Sequence, residues 1–118
     1  MLRGVYTRKP QQPKPRLAPR EKATSNDFCW AAGFYEGEGY CAGSVGTERV
    51  AIGQKNLEPL ERMQALFGGS LGHYPNRCSQ WRVSGARSRG FLMSIYGLLS
   101  SRRQEQVRKS MKIGEFKV

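Results

Sequence analysis

The sequence is poor in cysteine, histidine and acidic side chains, and it has no long apolar run. Its 118 residues include three cysteines, one histidine and nine Asp or Glu. So few cysteines, with no C-x-x-C pair, argue against a disulfide framework and favour a reducing intracellular compartment (cytoplasm, nucleoid or organelle matrix). The longest apolar stretch, near residues 91–99, is well short of the ~20 residues that span a bilayer, so no membrane partner is expected.

The scarcity of histidine and cysteine also limits the metal chemistry. Cys29, Cys41 and Cys78 could in principle bind zinc together with His73, but their spacing matches no zinc signature, and small core cysteines are the simpler interpretation. A single histidine weighs against a nuclease of the H-N-H type. The sequence contains no phosphate-binding G-x-x-x-x-G-K segment, so nucleotide hydrolysis is not indicated.

Positive charge is what the chain has in excess. Lys and Arg number 20, the net charge is +11 and the isoelectric point is about 10.1. A polyanionic partner is the natural inference, with nucleic acid first and an anionic membrane surface second. The length suits one domain.

The first 26 residues differ in composition from the rest. They carry seven Lys or Arg against one acid, and four prolines prevent regular helix (Pro10, Pro13, Pro15 and Pro19). This composition predicts a disordered, proline-rich basic arm over residues 1–26, followed by a single domain over residues 27–118. Such an arm could lie along phosphates or in a minor groove. A solvated tail or an arginine-rich targeting segment has the same composition.

Residues 30–39 are the most unusual part of the domain. Apolar residues at helical spacing predict a helix, for which Asp27 is a plausible N-cap, and Gly37 and Gly39 predict its end. Glu36 and Glu38 then lie at the helix C-terminus, where the helix dipole is negative. Carboxylates at that position need a cation, which could be lysine, arginine or a metal ion.

The rest of the domain alternates hairpins and helices. Strands are predicted at 40–45 and 49–54, a helix at 57–67 capped by Asn56, and strands at 70–74 and 79–83 with Trp81 and Val83 inward. A third helix at 87–99 and a basic stretch at 102–112 follow. This order predicts an α+β fold.

Residues 31–39, A-A-G-F-Y-E-G-E-G, resemble the LAGLIDADG motif of homing endonucleases. The similarity spans about residues 27–112, with Ala31 in place of the usual Leu and Glu36 in place of the usual Asp. It implies an α-β-β-α-β-β-α fold whose four-stranded antiparallel sheet forms a saddle over the major groove of DNA. Further segments carry the resemblance: 52–56, 57–69, 81–83, 91–99 and 102–104.

The resemblance also implies an active site. Glu38 would be the metal ligand, with Mg²⁺ as the metal, and Gln54 would orient a water molecule. Arg102 would stabilise the transition state, or Arg103 if the register is off by one. Glu36 would have a structural role, as a cap or a pairing partner. Since only one motif is present, two chains would form a homodimer, with their motif helices packed through Ala32 and Gly33.

Candidate DNA contacts come from the predicted sheet and the basic stretch. Arg and Gln can pair bidentately with guanine and adenine edges, although exposed polar residues on any sheet look the same. The candidates are Ser44, Thr47, Arg49, Arg77, Gln80, Arg82 and Arg103.

The leading hypothesis is therefore a homing-type, Mg²⁺-dependent endonuclease that makes site-specific double-strand breaks in DNA as a homodimer. The alternative is a non-catalytic nucleic-acid-binding module of the same fold, such as a maturase-like splicing cofactor for intron RNA or a DNA-binding protein. A third reading is an unrelated basic protein of ribosomal or chromatin type.

Overall fold

The computed structural model describes residues 17–43, 48–73 and 78–111. Within these ranges the chain forms four strands and four helices, with one turn of 3₁₀-helix at Tyr96–Leu98. None of the helices described is long and apolar enough to cross a membrane. In chain order the elements are α1 (Ser25–Glu38), β1 (Gly39–Ala42), β2 (Arg49–Gln54), α2 (Leu57–Phe67), β3 (Ser70–Gly72), β4 (Ser79–Ser84), α3 (Ala86–Ile95) and α4 (Ser101–Met111).

The four strands form one antiparallel sheet in the order β1-β2-β4-β3. Gly39 on β1 lies opposite Ile52 on β2, and Ile52 lies opposite Trp81 on β4. The two hairpins are thus joined through their second strands, which leaves β1 and β3 at the edges. The predicted α+β class with four antiparallel strands is confirmed.

One face of the sheet packs against the helices and forms the core. Val50, Ile52, Trp81 and Val83 alternate with exposed or half-buried residues and are buried, which confirms the predicted inward positions of Trp81 and Val83. Phe91 on α3 is central to this core. Its ring centroid lies 5.2 Å from that of Trp81, and 6.2 and 5.0 Å from those of Tyr35 and Phe67. Edge-to-face contacts of this kind favour one specific packing of aromatic rings.

The turn after α2 requires glycine and fixes the buried tryptophan. Gly68 and Gly69 have φ angles of 74° and 102°, a backbone region that other residues rarely adopt. A Cβ atom at Gly69 would lie 2.4 Å from the carbonyl oxygen of Arg82. The Trp81 indole N–H donates to the carbonyl of Gly68 at 2.7 Å, so the one polar atom of this side chain is satisfied.

Helix α1 begins earlier than predicted. Its N-cap is Thr24, whose hydroxyl accepts from the backbone N–H of Asp27, while the Asp27 carboxylate accepts from the N–H of Thr24 at 2.9 Å. The prediction of Asp27 as N-cap is wrong, because a Thr and an Asp three residues apart form a reciprocal capping box. Asp27 also pairs with Arg62 on α2 at 3.0 Å. The predicted cap of α2 is confirmed, since the Asn56 side chain accepts from the N–H of Glu58.

The helix predicted at 87–99 is divided in two. Helix α3 ends at Ile95 and a 3₁₀ turn follows at Tyr96–Leu98. Gly97 lies in this turn, and glycine is a poor helix former because it loses the most backbone entropy on ordering. The turn leads to Ser100, from which α4 continues.

Part of the predicted disordered arm belongs to the folded body. Leu17 and Gly69 exchange two backbone hydrogen bonds, of 2.9 and 2.8 Å, and the Arg87 guanidinium donates to the carbonyl of Leu17. The N–H of Arg20 donates to the carbonyl of Ala65. The described part of this segment thus contacts the folded body at Leu17, Arg20 and Glu21, while the predicted arm over residues 1–26 stays a prediction. Residues 1–16 lie outside the described residues, as do 44–47, 74–77 and 112–118.

We expect Thr24→Ala to lower the free energy of unfolding by about 1 kcal/mol, because the first turn of α1 loses its hydroxyl acceptor. Urea denaturation at neutral pH measures this change. Ser25→Ala is the matched control, since Ser25 is an exposed neighbouring hydroxyl residue without a capping hydrogen bond among the described contacts. Equal losses in the two variants would contradict the capping role.

Candidate active site and nucleic-acid interface

Glu38 is the last residue of α1, and strand β1 begins at the next position. Its side chain is exposed. Gly39 lies opposite Ile52, and Gln54 follows two positions further along β2. The strand register therefore brings Glu38 and Gln54 to the same end of the sheet, as the predicted active site requires.

Gln54 is half-buried at the end of β2, where it pairs with Ser79. Its side-chain oxygen accepts from the backbone N–H of Lys55 at 3.0 Å. Because the oxygen is used in this way, the amide NH₂ group is the part that can donate to a ligand or a water molecule. The water-orienting role of Gln54 stays a prediction.

Glu36 joins the end of α1 to the start of α4. Its carboxylate accepts from the backbone N–H of Ser100 at 2.9 Å and from the Ser100 hydroxyl at 2.7 Å. These two hydrogen bonds, and secondarily the charges of Arg103 and Arg102, hold the pKa of the Glu36 carboxyl below its ordinary value. The predicted structural pairing of Glu36 is confirmed.

Arg103 supplies the cation that the C-terminus of α1 needs. Its Nε donates to the carbonyl of Glu36 at 3.1 Å, and its Nη1 donates to the carbonyl of Gly39 at 2.9 Å and to the side-chain oxygen of Gln106 at 3.0 Å. The guanidinium carbon lies 5.3 Å from the centre of the Tyr35 ring. A positive charge here satisfies free carbonyls and complements the helix dipole. We define this set of contacts among Glu36, Gly39, Ser100 and Arg103 as the motif clasp.

Arg102 is placed differently from its neighbour. It is exposed and makes no hydrogen bond or ion pair within the part of the chain that the structure describes, although its charge contributes to the lowered pKa of Glu36. Arg103, the alternative that a one-residue shift implies, is the arginine that contacts the motif directly. The catalytic role of Arg102 and the DNA contact of Arg103 stay predictions.

The described residues of one chain do not form a complete metal site. No group of three or more His, Cys, Asp or Glu side chains is placed to hold an ion within the ranges 17–43, 48–73 and 78–111. Cys29, Cys41 and Cys78 are free thiols, which gives no support to a zinc site. Mg²⁺ in proteins commonly uses one or two carboxylates and keeps several waters, so an exposed Glu38 from each of two chains is a fitting donor set.

Among the described strand residues, the sheet face that points away from the helices carries positive but no negative side chains. Tyr40, Ala51, Arg82 and Ser70 form one row across all four strands, and Arg49 is exposed in the next row. The described strand residues on this outer face are Tyr40, Ala42, Arg49, Ala51, Gly53, Ser70, Gly72, Gln80, Arg82 and Ser84. None of them is Asp or Glu, so a phosphate backbone meets no repulsion from these strands.

Two of the predicted base-reading residues contact each other. Nε and Nη2 of Arg82 donate to the side-chain oxygen of Gln80 at 3.0 and 2.7 Å. This pairing holds both side chains on the outer face. The predicted contacts at Ser44, Thr47 and Arg77 lie outside the described residues.

The two predicted dimer residues have different environments. Ala32 is only 3% exposed and packs in the core of its own chain, so it has little surface to offer a partner. Gly33 is exposed, and a Cβ atom there would meet nothing within 4 Å. A dimer contact through Ala32 and Gly33 stays a prediction, and of the two residues Gly33 is the one with exposed surface.

Sequence reasoning missed the motif clasp. Ser100 precedes a charged helical segment, and its hydroxyl accepts from the N–H of Arg103 at 3.3 Å, which is the local pattern of an N-cap. That local signal was available in the sequence. Its partner Glu36 lies 64 positions away, and no local pattern identifies a contact of that range.

Comparisons with known proteins identify the fold. No protein-family model matches the chain, and no curated protein matches it. Two similar solved structures are crystal structures of the homing endonuclease I-CvuI, one bound to the I-CreI target C1221 with Mg and uncleaved DNA, the other bound to its own target Sro1.3 with Ca. Each has a TM-score of 0.59 and matches 69% of this chain, with 19% and 17% sequence identity. The predicted LAGLIDADG-type fold is thereby confirmed. The match spans 61% of the I-CvuI chain.

The lowered pKa of Glu36 gives the motif clasp a defined pH dependence. Its contribution to stability is complete above the ordinary pKa of 4.5 and is lost as the pH falls through the lower pKa of the folded state. We expect Glu36→Gln to lower the melting temperature at pH 7, and the difference from wild type to shrink steadily below about pH 4.5. Melting curves between pH 7 and pH 3 test this. Glu21→Gln, at an exposed glutamate, is the control, and a pH-independent difference for Glu36→Gln would contradict the interpretation.

Proposed function

We propose that this protein is a homing-type DNA endonuclease that cuts both strands of duplex DNA as a homodimer, with a divalent metal ion such as Mg²⁺. The observation that carries the proposal is the exposed carboxylate of Glu38 at the end of α1, within a fold whose solved neighbours are homing endonucleases in complex with DNA. A carboxylate at that position can bind a hard cation close to a DNA strand.

The outer face of the sheet is the proposed DNA-binding surface. Arg49 and Arg82 are exposed on it, and no acidic residue of the described strands opposes them. Arg82 and Gln80 carry the donor and acceptor groups that read guanine and adenine edges in the major groove. The net charge of +11 supplies further attraction to phosphates that does not depend on sequence.

The residues at the end of α1 have distinct proposed roles. Glu38 would hold the metal ion, which when bound neutralises phosphate charge and lowers the pKa of a water molecule. The Gln54 amide would orient the attacking water. Arg102 or Arg103 would place a positive charge near the phosphate that is cleaved. Glu36 would have a structural role, since its bonds in the motif clasp go to Ser100 and Arg103.

One chain carries one motif and therefore half of a double-strand cleavage site. Cys29, Gly33 and Gly37 recur every four residues and are exposed along α1. Such small residues let two helices approach closely. A second copy packed on this stripe would place its own Glu38 nearby, giving one cut per subunit on a palindromic or near-palindromic target.

We expect Glu38→Gln to abolish Mg²⁺-dependent double-strand cleavage while DNA binding stays within a few-fold of wild type, because the substitution removes charge but keeps size. Cleavage of a randomised duplex library, read by sequencing of the ends, measures activity, and a gel-shift assay measures binding. Glu61→Gln on α2, also an exposed glutamate, is the control.

The outcomes separate the two functions considered. Cuts lost in Glu38→Gln and kept in Glu61→Gln would support the nuclease. Equal cutting by Glu38→Gln and wild type would contradict the role of Glu38. Tight binding of DNA or of a structured intron RNA without cleavage by wild type would instead favour the non-catalytic binding module.

A second variant tests the dimer. We expect Gly33→Leu to be a folded monomer that is at least as stable as wild type. A Cβ atom at Gly33 meets open space, and leucine favours helix over glycine by up to ~1 kcal/mol. It should abolish double-strand cleavage and the DNA-bound dimer seen by analytical ultracentrifugation. Gly90→Leu on α3, where a Cβ also meets nothing within 4 Å, is the control. Wild-type cleavage by Gly33→Leu would contradict packing through this face.

A further inference from the structure

An open groove lies between edge strand β1 and helix α4. It has a volume of about 460 Å³ and is lined by residues 40–43 of the strand side and by Arg103, Gln106, Lys109 and Ser110 of α4. The thiol of Cys41 contacts the carbonyl of Gln106 at 3.8 Å, which joins the strand to the helix along the floor. The active site proposed above makes no use of Gln106, Lys109 or Ser110.

The groove is suited to an anion by charge. Its lining includes the cations Arg103 and Lys109 and no Asp or Glu. Arg103 is fixed in place by carbonyls through Nε and Nη1. Lys109 is exposed and makes no ion pair with the residues described. Its charge is therefore available to a ligand.

The groove also contains hydrogen-bond donors without a protein acceptor. Ser110 is only 7% exposed, and its hydroxyl has no hydrogen-bond partner among the described residues. Leaving a buried hydroxyl unpaired is costly, so a ligand that accepts from it restores a lost interaction. Gln106 must turn its oxygen toward Arg103, because arginine only donates, and this leaves its NH₂ group as a further donor.

We propose that this groove binds a backbone phosphate of the DNA duplex and so clamps the DNA at the β1 edge of the sheet. The inference rests on the proposed DNA-binding function and adds a contact site to it. A phosphodiester carries one negative charge and two non-bridging acceptor oxygens, which match the Lys109 ammonium and the Ser110 hydroxyl. The contact would be independent of base sequence.

Continuity with the outer face favours a DNA phosphate over a free anion. Tyr40 and Ala42 line the groove and also belong to the outer face, where Tyr40 is 53% exposed. A duplex lying on that face extends past edge strand β1, where its sugar-phosphate backbone meets the groove. The groove is open, so an extended polymer can pass through it.

Two variants of the 118-residue chain test the site. Lys109→Gln removes the free charge, and Ser110→Ala removes the unpaired hydroxyl. Lys22→Gln is the matched control, because it also removes one exposed lysine but lies outside the groove. Affinity for a mixed-sequence duplex is measured in Ca²⁺ over a range of KCl concentrations, together with the melting temperature of each variant.

We expect Lys109→Gln to reduce the slope of log K against log salt by about 0.9 for each bound chain, which is the value for one lost phosphate contact. Ser110→Ala should weaken binding several-fold without lowering the melting temperature, since it also removes an unsatisfied buried group. Lys22→Gln should leave the slope unchanged. Equal slopes for Lys109→Gln and Lys22→Gln, wild-type affinity for Ser110→Ala, or no binding of duplex by wild type would each overturn the proposal.

A separate measurement distinguishes this site from the nuclease itself. If wild type binds duplex with the expected slopes but never cleaves it, the phosphate site in the groove is supported and the proposed nuclease activity is contradicted. If wild type cleaves duplex and Lys109→Gln keeps the wild-type salt slope, the nuclease activity is supported and the phosphate site in the groove is contradicted. Inorganic phosphate is titrated while the amide NMR signal of Ser110 is followed. A shift that saturates with phosphate, together with a signal that duplex leaves unchanged, would identify a site for free phosphate and would overturn the proposal.

Discussion

The motif clasp is the contact on which the rest of the site depends. Helix α1 ends at Glu38 and strand β1 begins at Gly39 without a connecting loop, so the carbonyls at this junction have no partners from continued helix. Arg103 donates to two of these carbonyls, and the Glu36 carboxylate accepts from the backbone N–H of Ser100, just before α4. The negative end of one helix and the positive end of another are thereby neutralised by a single pair of side chains. Glu38 is exposed and has no hydrogen bond or ion pair with the described residues, because Glu36 and Arg103 make the contacts that stabilise this junction.

Local patterns predicted those parts of the fold that depend on neighbours in sequence. Alternation placed Trp81 and Val83 in the core, and a short polar side chain before a helix placed Asn56 as a cap. Asp27 was misplaced within its capping box because Thr24 and Asp27 both have the chemistry of a cap, and geometry alone decides between them. The fold class followed from the order of elements and from the motif, and the solved neighbours agree with it.

The site was harder to predict because its contacts join distant parts of the chain. Ala32 looks like a helix-contact residue in any sequence, yet the path of α1 turns it toward the chain's own core and turns Gly33 outward. The choice between Arg102 and Arg103 depends on a rotation of about 100° around α4, which a sequence does not contain. Pairing of Arg82 with Gln80 across two positions of β4 also requires a strand, because only alternate residues share a face.

The bridge between Leu17 and Gly69 determines where the basic N-terminal segment is attached. Gly69 directly precedes β3, the edge strand opposite to β1 in the sheet. The sequence that precedes Leu17, residues 1–16, contains five Lys or Arg and no acid. Cations of the described residues thus lie at both margins of the sheet, Arg20 close to the β3 margin through its bond to Ala65 and Arg103 and Lys109 beside β1.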